Sequence, residues 1–231
     1  MIKVARASFR RSLATDPGQV RGRGATAKIP KRSPNFAKLA IRLSLDPDVT
    51  WLEYVGSLPF GERNVVVEMM VADRSEGRVA FDIVDERPPR DLDTEGLLLL
   101  ALDHYHIRIV EVDSTSINDE SRASNSLRIW RHRGRQVEKG LVAKIDRALA
   151  GQRSVSVRRL GTLIGMSNPL PIVSALICKR VLDTDTSAKL GLNSLVVRRW
   201  DLGATALTYR SRLAARLCAP SVRYHTRENL Y

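Results

Sequence analysis

Apolar positions recur at helical spacing over residues 35–45. Phe36, Leu39, Ala40 and Leu43 share one face, with Ala37 at its edge. Asp46-Pro47-Asp48 ends the pattern, because proline cannot continue the hydrogen-bond ladder. Three β-branched, apolar runs follow: VTWLEYVGSL (49–58), NVVVEMMVAD (64–73) and GRVAFDIVD (77–85), the last after the turn DRSEG. Beyond Pro88-Pro89, acids at Asp91, Asp93 and Glu95 precede the apolar run 97–102. This predicts a buried helix whose N-terminal dipole is met by carboxylates. IRIVEVD (107–113) reads as a buried parallel strand. Helix, antiparallel strands, helix and parallel strand predict an α/β sandwich over residues 35–117.

The polar run NDESRASNS (118–126) predicts a boundary, and LRIWRHRGRQ completes a basic linker over 118–136. A second pattern occupies 137–226. An amphipathic helix over 138–149 stops at Gly151, and SVSV (154–157) is a very short strand. A short helix over 158–165, a turn MSN, and a helix over 169–180 that starts with proline come next. VLDTD and LVVRR are two short strands joined by TSAKLGLNS. That order is the order of a winged helix-turn-helix, followed by a basic tail. Residues 1–34 have no apolar period and read as a basic flexible arm. Residues 227–231 match the start of a protease-cleavage tag and are set aside.

Charge sharpens this division. The formal net charge is +13. Residues 1–38 hold ten basic residues and one acid, 39–121 hold seven and eighteen, and 122–231 hold twenty-one and six. Two basic segments around an acidic block predict two parts that contact nucleic acid and a middle that does not touch phosphate. Two distant cysteines, Cys178 and Cys218, form no metal-binding or redox motif. No zinc site and a reducing cytoplasm, at the nucleoid, are therefore expected. No apolar run is long enough to span a membrane, and MIKVARASFRRS lacks the apolar core of a secretory signal.

In a helix-turn-helix the second helix enters the major groove and its early residues meet base edges. Here that helix is 169–180, with Ser167, Asn168, Ser174, Lys179 and Arg180 as exposed polar candidates. Leu170, Pro171, Ile172 and Val173 are apolar where base-reading side chains are expected. Arg158, Arg159, Lys189, Arg198 and Arg199 are placed to neutralise phosphate. Arg21, Arg23, Lys28, Lys31 and Arg32 of the arm, and Arg131 and Arg133 beside Trp130, extend the DNA-contacting set. Trp130 either stacks on a base or anchors the linker. His104 and His106 are two residues apart, a spacing that suits neither a zinc pair nor a base and its orienting partner.

The first unit has the strand order of the restriction-endonuclease-like fold, which carries a metal-dependent nuclease centre on its strands. VRGRGATAK, LSLDPDVTWLEYVGSLP, DIVDERPP and the terminal LNSLVVRR, in that order, resemble the TnsA family, the endonuclease subunit of heteromeric transposases. The resemblance covers roughly residues 20–199. It implies a Glu on the first helix, an Asp on one strand, and a Glu/Gln-x-Lys on the next. By position these fall near Arg32, on Glu68 or Met69, and on Ile83-Val84-Asp85. A register slip makes Glu68, Asp82 and Asp85 the magnesium ligands of an active enzyme. No slip supplies the lysine, since none lies between Lys38 and Lys139. Arg87 and Arg90 cannot stand in, because arginine does not release its proton.

The sequence therefore predicts a protein that binds double-stranded DNA and has an inactive nuclease-like centre. It would need no cofactor and would serve as a transcription or recombination regulator, with a mobile element as one setting. The acidic middle would form a homodimer or dock a DNA-processing or transcription partner. A divergent magnesium-dependent endonuclease and a protein-docking adaptor are the alternatives.

Overall fold

In the computed structural model, residue 30 and residues 32–199 are described. The described residues are mixed α/β, with a four-stranded and a three-stranded sheet. Helix α1 (Pro34–Leu45) starts at Ser33, whose hydroxyl accepts from the Phe36 N–H at 2.9 Å, with Pro34 in the first turn where no N–H is needed. It buries Phe36, Leu39, Ala40 and Leu43, the face its spacing predicts.

Strands β1 (Trp51–Phe60), β2 (Arg63–Arg74) and β3 (Gly77–Ile83) form an antiparallel meander. Helix α2 (Leu92–His104) then crosses the sheet and delivers β4 (Ile107–Val112) parallel to β3, giving the order β1-β2-β3-β4. Asp91 caps α2 by accepting from the Thr94 N–H at 2.7 Å. One sheet face packs Val67, Met69, Val71 and Ala80 against Leu98, Ala101 and Leu102 of α2. The other packs Leu52, Met70, Ala72 and Phe81 with α1.

The LDPD turn is a structural staple. Arg74 pairs with Asp46, and its Nε lies 3.4 Å from the Asp48 carboxylate. Asp48 also accepts from the Ser75 hydroxyl at 2.6 Å. The turn after α1 is thereby tied to the β2–β3 turn.

The polar run expected to be a linker is largely helical. A short α3 (Ser114–Ile117) precedes α4 (Glu120–Trp130), which packs on α1 and on a later helix. Asn125 and Ser126 are buried. The polarity that suggested a boundary serves buried hydrogen bonds instead: the Asn125 amide donates to the carbonyls of Thr186 and Ala188 and accepts from the Leu190 N–H.

The remaining elements are α5 (Lys139–Leu149), β5 (Val155–Ser156), α6 (Val157–Ile164), α7 (Leu170–Cys178), β6 (Leu182–Thr184) and β7 (Leu195–Arg198). Their antiparallel sheet has the order β5-β7-β6. The α1-side core runs without a break through Ile117 and Ile129 into Ile145, Leu160, Leu176 and Val196, so the two halves share one apolar interior. Among the described residues, no helix is long and apolar enough to cross a membrane.

Candidate functional site

Two regions carry the sequence-predicted residues. The first is a cleft of about 670 Å³ lined by β2 and β3, by the residues that open α1 and α2, and by the loop that carries Glu86 to Asp91. Glu68, Asp82, Arg32, Arg87 and Arg90 all line it. A bulge presents Glu68: Val55 pairs with Met69 and Ser57 with Val66, so Gly56 stands opposite both Val67 and Glu68. Glu68 takes φ 54°, a left-handed conformation that costs a non-glycine residue on the order of 1–2 kcal/mol.

Every carboxylate that a magnesium centre would use is otherwise engaged. Asp82, buried on β3, lies 2.7 Å from Arg87 and 2.9 Å from Arg90. The same guanidiniums reach Glu95 at 3.3 and 3.2 Å, and Arg87 reaches Glu111 at 3.3 Å. Pro88-Pro89 turns the chain so that arginines on both sides of it fold back onto the strand. Burial opposes the Arg90 charge, but hydrogen bonds and attraction from Asp82 and Glu95 outweigh it and raise its pKa. Glu68 is paired with Arg32 at 2.6 Å, and this contact is the main reason the Arg32 pKa is raised.

Asp85 and Glu86 have left the strand. The Asp85 carboxylate accepts from the Ser114 N–H at 3.1 Å, and hydrogen bonding to Ser114 lowers its pKa. Glu86 accepts from the Ser33 hydroxyl and, at 2.7 Å, from the Asn35 amide. Both therefore brace the starts of other helices rather than the segment that follows them. Among the described residues, no group of three or more His, Cys, Asp or Glu is arranged to hold a metal ion. The donors do not fit magnesium: of the four acids that line the cleft, Glu68 and Asp82 face guanidiniums, Glu86 is bound to Ser33 and Asn35, and Asp91 caps α2. Among the described residues, no lysine or other proton-releasing cation lines the cleft.

The second region is the basic half. Arg158 and Arg159 are exposed in the first turn of α6, Lys189 is exposed on the loop between β6 and β7, and Ser167 and Asn168 are exposed before α7. Arg131, Arg133 and Lys179 are also exposed. The Arg133 guanidinium lies 5.4 Å from the centre of the Trp130 ring, which packs against the core. His104 makes edge contacts with Phe60 and Tyr105, and His106 takes φ 55° just past the end of α2.

Four of the expected contact residues are corrected here. Ser174 is not exposed: it is 3 % accessible, because α7 buries every residue from Ile172 to Ile177. Arg180 points into the other half, donating to the carbonyls of Val49 and, at 3.0 Å, Ser44. Arg199 donates to the carbonyls of Asp46 at 3.3 Å and Pro47 at 2.7 Å, and Arg198 to that of Asp146. These three arginines are part-buried and hold the molecule together. Arg21, Arg23, Lys28 and Lys31 lie outside the described residues.

Sequence reasoning missed Asp183. It is buried on β6, accepts from the Thr184 N–H through Oδ1, and has no hydrogen-bond partner for Oδ2. Burial pushes its pKa to about 7, against the attraction of Arg199 and Arg180 and with the repulsion of Asp46. An acid in a short apolar strand beside a charged turn was its sequence signal. No protein-family model matches the chain, and no curated protein shows detectable similarity to it.

Proposed function

We propose that the chain is a double-stranded DNA-binding protein on a TnsA-like scaffold. Its restriction-endonuclease-like half has become a non-cleaving support, and its winged-helix half carries DNA contact. The element order, the β1-β2-β3-β4 pairing and the β5-β7-β6 sheet support that reading. In this role it regulates transcription or recombination, with a mobile element as one setting.

One observation carries it. Among the described residues, with Arg180, Arg198 and Arg199 left aside, the ion pairs lie between residues 32 and 111. Leaving Arg180, Arg198 and Arg199 aside, no described Lys or Arg of residues 120–199 is ion-paired. Unpaired cations on one half attract a polyanion, and release of its counterions drives binding.

The test is duplex binding by the full chain at low and physiological salt. Affinity should fall by roughly 10²-fold or more if several phosphates are neutralised. Affinity that ignores salt, or no binding in either, rejects the reading. Incubating supercoiled DNA with magnesium or manganese tests the silent centre. Nicking that vanishes in an Asp82→Ala, Asp85→Ala variant would favour the endonuclease alternative.

A docking role for the acidic half has its own observation. Leu92, Leu99 and Leu100 of α2 are 91, 42 and 52 % exposed. Light scattering of the parent and a Leu99→Glu, Leu100→Glu variant checks whether this face joins two copies.

A further inference from the structure

We infer that DNA contact, on the reading above, is made by side-chain cations alone and is indifferent to base sequence. The contact surface is the first turn of α6 with the β6–β7 loop, and α7 is a packing helix that does not enter a groove. The observation concerns α7 itself. It occupies the place of the groove-reading helix in a helix-turn-helix. Yet Ile172 to Ile177 are buried, and it packs on α4 and α1. Withdrawing it to meet base edges would expose Val173, Leu176 and Ile177 of the shared core.

Outside stand Ser167 and Asn168 before α7, and with them charge. Arg158, Arg159 and Lys189 are exposed and have no carboxylate partner. They belong to one patch: the Arg158 N–H donates to the Leu192 carbonyl at 2.7 Å, and the Val157 N–H to the Ser194 carbonyl at 2.9 Å. From behind, Asn125 and Arg128 of α4 fasten the loop through Thr186, Ala188 and Leu190.

The same bonds remove the alternative of a backbone anion site. A helix start ordinarily offers free N–H groups to phosphate. Here the Val157 and Arg158 N–H groups are bound to the loop, and the Arg159 N–H donates to Ser156 Oγ at 3.2 Å. Phosphate therefore meets guanidinium and ammonium groups on a braced frame, which positions a duplex without reading it.

The experiment measures binding of the full chain to two duplexes of equal length, one A·T-rich and one G·C-rich, across a salt series. Affinities should agree within about threefold. Arg158→Ala, Arg159→Ala and Lys189→Ala should weaken both duplexes alike, each lowering the slope of log K against log[salt] by about 0.9. Arg158→Lys with Arg159→Lys should keep the parent slope. A preference above about 30-fold for one duplex, lost in Asn168→Ala, would overturn the inference while DNA binding stands. An unchanged slope in the triple alanine variant would also overturn it, placing the contact elsewhere. No binding by the parent would sink both this inference and the function it rests on.

Discussion

Asp183 and Asp82 are both buried acids, and the neighbours of each decide opposite outcomes. Asp82 has two guanidiniums within 3 Å. Removing a partner from a buried pair costs about 3–5 kcal/mol, because the remaining charge is left uncompensated. Arg90 is shared with Glu95, and Arg87 still faces Asp82, so Arg90→Ala should cost somewhat less, about 2–4 kcal/mol. In an Asp82→Asn background the same change should cost less than half as much, as read by urea denaturation of the four proteins. Asp183 has no such partner, and its pKa of about 7 lies above the unfolded value of 3.8. An acid with a raised folded pKa stabilises the fold at low pH, and that contribution is lost as pH rises through the folded pKa. Its effect should therefore fade between about pH 4 and pH 7. Asp183→Asn should flatten the pH dependence of the melting temperature over that window and raise stability at pH 8. A parent and variant with parallel pH profiles would contradict this.

At the scale of elements, turns and caps decide where α6 and α7 meet. Gly165 closes α6 at φ 75°, and a Cβ on Gly161 would lie 2.8 Å from Pro169 Cγ and 2.9 Å from the Met166 carbonyl. Gly161→Ala should therefore destabilise the protein by about 1–3 kcal/mol, although alanine favours helices elsewhere. A variant that melts at or above the parent temperature would show that the turn can yield. Helix α4 shows the limit of pattern reading. Its buried Asn125 satisfies three backbone groups of the β6–β7 loop. Asn125→Ala should speed hydrogen exchange of the loop amides, Leu190 above all, while leaving those of β2 and β3 unchanged.

At the scale of the molecule, the two halves are joined by a continuous apolar interior and by arginines aimed at backbone carbonyls. Arg180 and Arg199 cap the end of α1 and the turn after it, where carbonyls lack helical partners and the helix dipole is negative. The parent should unfold in one cooperative transition. Arg180→Ala with Arg199→Ala should lower stability by about 2–5 kcal/mol and broaden or split the calorimetric transition. Two separate transitions in the parent would mean the shared core does not couple the halves.

The sequence by itself determined most elements of both halves, though not α4: the spacing of Phe36, Leu39, Ala40 and Leu43, the β-branched apolar run of β2, and the Pro47 and Pro88-Pro89 breaks. These signals are local, since helix and strand periods and proline geometry act within a few residues. The uneven charge was equally plain, as was the absence of lysine from residues 39–138. Only the tertiary structure decided which polar residues are buried. Ser174, Asn125 and Asp183 look in sequence like any surface polar residue; Asn125 is buried by partners 61–65 positions away, and Ser174 and Asp183 by the apolar elements around them. It also separated arginines that hold the fold, such as Arg87, Arg90, Arg180 and Arg199, from those that face solvent, such as Arg158 and Arg159. A guanidinium has the same charge in either role, and only the nearby carboxylate or carbonyl, brought there by the fold, tells them apart.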